Sequence, residues 1–94
     1  MTILEEAQKL VDGVKREEYG DQLESLNRAA RMWNGYLKSK GHLCANLNYR
    51  DVAFMMILYK ITRETHKIKR DNLVDIAGYA YVLELADELD RNPN

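Results

Sequence analysis

The chain has 94 residues, enough for one small domain whose single hydrophobic core is only marginally self-sufficient. It is 46% hydrophobic and 31% charged, a composition that excludes an intrinsically disordered chain. The net charge of -1 argues against a general nucleic-acid binder, because such proteins carry a strong basic excess.

The sequence also argues against secretion and against membrane insertion. Its one cysteine, Cys44, excludes an internal disulfide and fits a reducing compartment. The N-terminal segment is interrupted by Glu5, Glu6 and Lys9, which is not typical of a signal peptide. No apolar run approaches the roughly 18 residues that a membrane span needs. We therefore expect a cytoplasmic protein.

The first segment has the pattern of a capped amphipathic helix. Thr2 and Glu5 have the spacing of a capping box, in which each satisfies a free N–H group of the first turn. Apolar residues then recur at helical spacing: Ile3, Leu4, Ala7, Leu10, Val11 and Val14. Gly13 and the charged run 15–18 predict the end of this helix. Gly20 and Asp21 predict a turn, with Asp21 able to cap the next helix.

The second and third helices are separated by a predicted loop at 41–47. The second should run over 22–38, and Gly41 is placed as its C-terminal stop. Its apolar stripe is Leu23, Leu26, Ala30, Trp33 and Leu37. Asn48 and Asp51 predict the start of a third helix that extends to about residue 65.

The fourth helix follows a short basic connector at 66–69 and should end near residue 89. Residues 91–94 are predicted to be a flexible C-terminal tail. The alternation typical of β-strands is absent, and there is no internal repeat. We therefore predict an all-α, four-helix domain that spans residues 1–90.

Two segments carry a single charge each in otherwise apolar surroundings. Residues 53–61 are apolar except for Lys60, and residues 73–83 are apolar except for Asp75. Helices of this kind are expected to be packed on all faces, where a charge needs a partner. Lys60 and Asp75 are therefore either a buried ion pair or the floor of a polar pocket.

Two helices this apolar are difficult to cover in so short a chain. Burying a large aliphatic side chain is worth roughly 1.5–3 kcal/mol, so leaving several exposed is costly. We expect a homo-oligomer with Ile57, Tyr59, Tyr81 and Val82 as candidate interface residues.

Several blocks of the sequence resemble a family of small phage-encoded proteins that is known as a domain of unknown function. They are 16–21 (Arg-Glu-Glu-Tyr-Gly-Asp), Trp33, 51–56 (Asp-Val-Ala-Phe-Met-Met), Lys60, Arg63 and 70–79 (Arg-Asp-Asn-Leu-Val-Asp-Ile-Ala-Gly-Tyr). That family is in turn similar to the all-α nucleotide pyrophosphohydrolases of the MazG type. The resemblance implies a MazG-like bundle in the cytoplasm of a phage-infected cell. MazG-type enzymes hold Mg²⁺ on a Glu-Glu-x-x-Glu helix and a Glu-x-x-Asp helix, and they cleave nucleoside triphosphates to monophosphates.

The match to that metal site is incomplete. Asn72 and Asp75 occupy the Glu-x-x-Asp positions with an amide in place of the first acid. Glu84 and Asp87 match the motif but lie near the end of the last helix. Glu17, Glu18 and Asp21 resemble the other motif, yet Gly20 interrupts the helix face there. Glu24 and Asn27 form a better-placed pair. Mg²⁺ prefers several carboxylates, so Glu24 and Asp75 are the metal ligands only if the protein is a hydrolase.

The alternative is a site for a phosphorylated ligand. Phosphate recognition needs cations and free N–H groups, and aromatic rings can stack a base. The candidate ligand-binding residues are Arg16, Tyr19, Gly20, Lys60, Arg63, Arg70, Asp71, Asp75 and Tyr79. An ordinary solvated surface explains Lys67 and Lys69 equally well, and Trp33 is expected in the core.

Three hypotheses follow. The preferred one is a non-catalytic protein, without a cofactor, that binds a phosphorylated or cyclic nucleotide and in a phage sequesters a host antiviral nucleotide signal. The second is a Mg²⁺-dependent MazG-like pyrophosphohydrolase. The third is a structural or interaction module in which Lys60 and Asp75 only fix helix register. A helix-turn-helix DNA binder is weaker, because no exposed basic recognition helix is present.

Overall fold

The computed structural model describes residues 1–13, 21–42 and 46–91. Four α-helices occur in these ranges. They are α1 (Ile3–Asp12), α2 (Gln22–Ser39), α3 (Tyr49–His66) and α4 (Arg70–Arg91). No strand is found in the described residues, so the predicted all-α class with four helices is confirmed. α4 still includes Arg91, while the rest of the predicted tail, 92–94, lies outside the described residues.

The predicted helix starts are formed by side-chain caps. Thr2 Oγ1 accepts from the Glu5 N–H at 3.1 Å, and Glu5 Oε1 accepts from the Thr2 N–H at 2.9 Å. Asn48 and Asp51 make the same reciprocal pair at the start of α3, with distances of 3.1 and 2.9 Å. Asp21 caps α2 through its side chain. Each cap satisfies N–H groups that the first helical turn leaves free.

The predicted stop at Gly41 is also confirmed. Gly41 has a φ of 82°, which a glycine adopts without strain. Its N–H donates to the Lys38 carbonyl at 3.0 Å, and the His42 N–H donates to the Leu37 carbonyl at 3.0 Å. This pair of bonds is a Schellman motif, which satisfies the last carbonyls of α2.

α4 is the central helix of the fold. α1 and α3 pack along it, and α2 packs mainly on α3 with a smaller contact to α4. Buried side chains from three helices form the core: Leu26, Ala30, Val52, Ala53, Val82 and Leu83. Trp33 packs against this cluster, in the core role expected for it.

One chain leaves α3 and α4 partly uncovered, as expected for two helices this apolar in so short a chain: Leu58 of α3 is 62% exposed and Leu73 of α4 is 41% exposed. One of the predicted interface residues is wrong. Val82, a predicted interface residue, is buried in the core because it faces the other helices of the same chain. Tyr81 is held within the chain, since its hydroxyl donates to the Asp12 carboxylate at 2.9 Å.

Candidate functional site: a cleft at the Lys60–Asp75 pair

Lys60 and Asp75 meet where α3 packs on α4. The Lys60 Nζ lies 3.0 Å from Asp75 Oδ2. The side chains are 14% and 23% exposed, so the pair is neither sealed in the core nor free on the surface. The two lone charges that the sequence singled out therefore form an ion pair with access to solvent.

A small cleft opens beside this pair. Its volume is about 70 Å³, roughly the space that two water molecules occupy in the liquid. All four described helices contribute to its walls: Ala7, Leu10, Val11, Gln22, Lys60, Val74, Asp75, Gly78, Tyr79 and Val82. Apolar residues of α1 and α4 thus surround a few polar groups. The cleft has room for one polar group of a ligand, not for a whole nucleotide.

Tyr79 places an aromatic ring and a hydroxyl in the cleft wall. Burial raises the pKa of the Tyr79 hydroxyl above 10.0, and the nearby Asp75 charge adds to this effect. The hydroxyl therefore stays protonated at neutral pH and is available as a hydrogen-bond donor.

Gly78 lies in the same wall, where α1 crosses α4. A methyl group added to Gly78 would meet the Val11 Cγ2 at 3.6 Å, an ordinary van der Waals distance. Helix packing therefore does not require a glycine at this position. Because Gly78 also lines the cleft, an added methyl group would lie in its wall.

A second polar contact between α3 and α4 was missed from the sequence. Asn72 is buried, and its Nδ2 donates to Glu64 Oε1 at 3.0 Å. The same oxygen accepts from the Lys69 N–H at 2.9 Å. The bond from Asn72, with the Lys69 N–H second, lowers the pKa of Glu64. Asn72 thus holds the α3–α4 turn in place, through a contact that we call the Glu64 clasp. The sequence signal for this contact was the spacing: Glu64 is one helical turn after Lys60, and Asn72 is about one turn before Asp75.

Other predicted ligand-binding residues lie away from the cleft. Arg70 is hydrogen-bonded to the Glu6 carboxylate and donates to the Met1 carbonyl at 2.9 Å. The Arg63 guanidinium lies 5.9 Å from the centre of the exposed Tyr59 ring. Asp71 is exposed in the first turn of α4.

Three further predictions, Arg16, Tyr19 and Gly20, fall outside the described residues. Lys60, Asp75 and Tyr79 are the predicted ligand-binding residues that line the cleft.

The described residues do not fit the magnesium site of a pyrophosphohydrolase. Glu24 is exposed and lies 3.7 Å from Arg28, while Asp75 is paired with Lys60. Within residues 1–13, 21–42 and 46–91, no three His, Cys, Asp or Glu side chains group closely enough to hold a metal ion. Mg²⁺ usually needs carboxylates in near-octahedral geometry, and this part of the chain does not assemble them.

A larger cavity adjoins the cleft along α4. It has a volume of about 600 Å³ and shares Val11, Gln22 and Val82 with the cleft. Its other walls are partly apolar and partly acidic: Asp12, Asp21, Leu23, Leu85, Ala86, Glu88 and Leu89. Together the two cavities form a groove, the α4 groove, from Val74 to Leu89. At 1.5 Å per residue the groove is about 22 Å long.

No helix in the described ranges has the length and apolarity needed to cross a membrane.

Comparison with known proteins gives a family but no structural template. The chain is 40% identical over 85 residues to the Gene 55 protein of Mycobacterium phage L5, covering 89% of this chain and 51% of that protein. It is 38% identical over 84 residues to the Gene 55 protein of Mycobacterium phage D29, covering 88% and 52%. The chain thus spans about half the length of these curated relatives. No solved structure matches it. Residues 2–86 match the family described as "Domain of unknown function (DUF6378)", and the chain belongs to that family.

Proposed function

We propose that this protein binds a phosphorylated or cyclic nucleotide in the α4 groove and does not cleave it. The observation that carries the proposal is the Lys60–Asp75 pair, which lies beside a cleft that is open to solvent. A pair that served packing alone could be sealed by the apolar residues around it. Here a cation, an acid and an aromatic residue share one wall of a concave surface.

The cleft suits one phosphate group. An ammonium group has three N–H donors, so Lys60 can keep one bond to Asp75 and donate others to a phosphate oxygen. The Tyr79 hydroxyl supplies a further donor. In partly desolvated surroundings such charge-assisted hydrogen bonds are roughly twice as strong as neutral ones.

The larger cavity suits the ribose and the base. Its volume lies within the roughly 300–1,000 Å³ of small-molecule sites. Leu23 and Leu85 offer apolar contact to a base. The carboxylates of Asp12, Asp21 and Glu88 repel phosphate but accept hydrogen bonds from ribose hydroxyls and base amino groups. The groove thus has hydrogen-bond donors at Lys60, where the phosphate would bind, and acceptors towards its other end, where the ribose and base would lie.

Similarity to proteins of two mycobacteriophages supports a role during phage infection. A phage gains from removing a nucleotide signal of the host's defence. A protein that sequesters such a signal needs tight binding and no turnover. We propose that it acts as a homo-oligomer, as the exposed apolar residues of α3 favour.

The MazG-like hydrolase is the alternative, and it predicts a different chemical outcome. Incubating the purified protein with linear and cyclic nucleotides, with and without Mg²⁺, and then denaturing it releases any bound small molecule for mass spectrometry. We expect an intact nucleotide to be recovered at close to one per site. Catalytic conversion to monophosphate would support the hydrolase instead, and recovery of no nucleotide would support a structural module.

A further inference from the structure

The α3 helix carries an exposed apolar face. Five large side chains, which we call the α3 face, are between 43% and 62% exposed: Phe54, Met55, Leu58, Tyr59 and Ile61. They lie within two turns of one helix and are centred on Leu58. None of them lines the cleft or the larger cavity.

The area of the α3 face is large for a lone chain of this size. A large side chain can bury about 150–250 Å², so five that are half exposed leave about 500 Å² of mostly apolar surface. The largest apolar patch of a typical monomer is about 300–600 Å² and is often functional, so a patch of this size on so small a chain is a candidate contact surface. A stable interface buries about 800 Å² on each partner, so the residues around this face would have to supply about 300 Å² of it.

We propose that a second copy of this chain packs on the α3 face, with the two α3 helices antiparallel about a two-fold axis at Leu58. Such an axis places Leu58 against its own copy and Met55 against Ile61 of the partner. The same axis sets Tyr59 against Ile57 of the partner and Phe54 against Thr62, so most of the contact is between large apolar residues. An isologous contact needs this self-complementarity.

The charges at the two ends of α3 favour the same arrangement. The first turn carries the exposed Asp51, and the last turns carry Arg63 and Lys67 at and just beyond the end of the helix. The opposite charges at these ends are engaged within the chain, since Arg50 pairs with Asp87 at 2.7 Å and Glu64 accepts from Asn72 at 3.0 Å. An antiparallel pair brings the acidic end of each helix to the basic end of the other. A parallel pair would place like charges and like helix-dipole ends together. This inference rests on the homo-oligomer of the proposed function and specifies its interface. Its test is separate from that of nucleotide binding, because none of these residues lines the groove.

Sedimentation equilibrium of the full chain tests the inference. We expect wild type to be a dimer. Leu58→Lys or Ile61→Lys should raise the dissociation constant of the dimer about 100-fold or more, because each change removes one apolar side chain from each of the two copies. Met32→Lys is the matched control, since Met32 is exposed on α2 outside this face and its change should leave the dimer intact. Unchanged circular dichroism shows that each variant is folded.

The orientation is tested by cross-linking in a Cys44→Ser background. Leu58→Cys should oxidise readily to a disulfide-linked dimer, because the two-fold axis brings residue 58 of both copies together. Met32→Cys should not. A monomeric wild type, including one that binds a different protein through this face, would overturn the proposal. So would a Leu58→Lys dimer as tight as wild type, or equal cross-linking at residues 32 and 58.

Discussion

At the scale of single residues, the Lys60–Asp75 pair joins α3 to α4 and forms part of the wall of the cleft. Lys60 and Asp75 pair at 3.0 Å because α3 and α4 pack side by side with both residues at the contact. The sequence could predict that each charge needs a partner. The contact between Asn72 and Glu64 had a weak signal in the helical spacing of these residues from Asp75 and Lys60. The spacing alone did not identify it, because the contact also depends on how the turn at 67–69 folds back.

A double-mutant cycle with Lys60→Met and Asp75→Asn measures the strength of the pair. We expect a coupling of about 1–3 kcal/mol, between the values for exposed and buried pairs. Urea unfolding gives the free energy of each variant. The pair Glu24–Arg28, which is 70% and 58% exposed, is the control and should give about 0.3–0.5 kcal/mol. Equal coupling in the two cycles would show that Lys60 and Asp75 interact only as surface charges.

The Glu64 clasp predicts a pH dependence of stability. Hydrogen bonds from Asn72 and the Lys69 N–H lower the pKa of Glu64 in the folded chain below 4.5. The ionised Glu64 therefore stabilises the folded chain fully above pH 4.5, and this stabilisation is lost as the pH falls through the lower pKa of the folded state. Glu64→Gln should be less stable than wild type at neutral pH, and the two should converge in acid. Urea unfolding across a pH series measures this.

The same series with Asn72→Ala provides the control for this clasp. Because Asn72 is the largest cause of the lowered pKa, the loss of stability caused by Glu64→Gln should shrink in that background. A loss that persists unchanged at low pH would rule out a titrating Glu64 as its origin.

At the scale of helices, the sequence predicted where helices begin and end, but it did not predict which face of each helix is covered by the others. The caps at Thr2, Asp21 and Asn48 and the stop at Gly41 depend on residues within one turn, so the sequence contains all the information needed. The covered face of a helix depends on its neighbours. The sequence predicted that one chain would leave part of α3 uncovered, but it did not identify Leu58 among the exposed residues.

Gly78→Ala separates the helix role of this residue from its place in the cleft. Alanine fits against Val11 and favours the helix, so stability should rise by about 0.5–1 kcal/mol. The added methyl group also narrows a cleft of only about 70 Å³, so nucleotide binding should weaken.

Gly35→Ala on α2 is the matched control, because nothing lies within 4 Å of the added methyl group. It should stabilise α2 by a similar amount and leave binding unchanged. If Gly78→Ala binds nucleotide as well as Gly35→Ala does, the cleft is not where the ligand lies.

At the scale of the whole molecule, the open groove along α4 and the α3 face are the surfaces of the described residues that we propose for a ligand and for a partner. Neither could be located from the sequence, because both depend on how four helices are arranged. The sequence did single out Lys60, Asp75 and Tyr79, which the fold brings to one cleft. Arg63, Arg70 and Asp71 were reasonable as cations and acids near helix ends, but the fold does not place them there.

Calorimetric titration of the nucleotide recovered from the protein tests the central claim most directly. Wild type should bind it with a clear isotherm in the absence of Mg²⁺. Lys60→Met should bind about 10–100-fold more weakly, the loss expected from one charged hydrogen bond of about 1.5–3 kcal/mol. Lys38→Met removes an equal charge from the exposed face of α2 and should bind like wild type. Equal affinity in Lys60→Met and Lys38→Met, or no isotherm with wild type, would contradict nucleotide binding at this cleft.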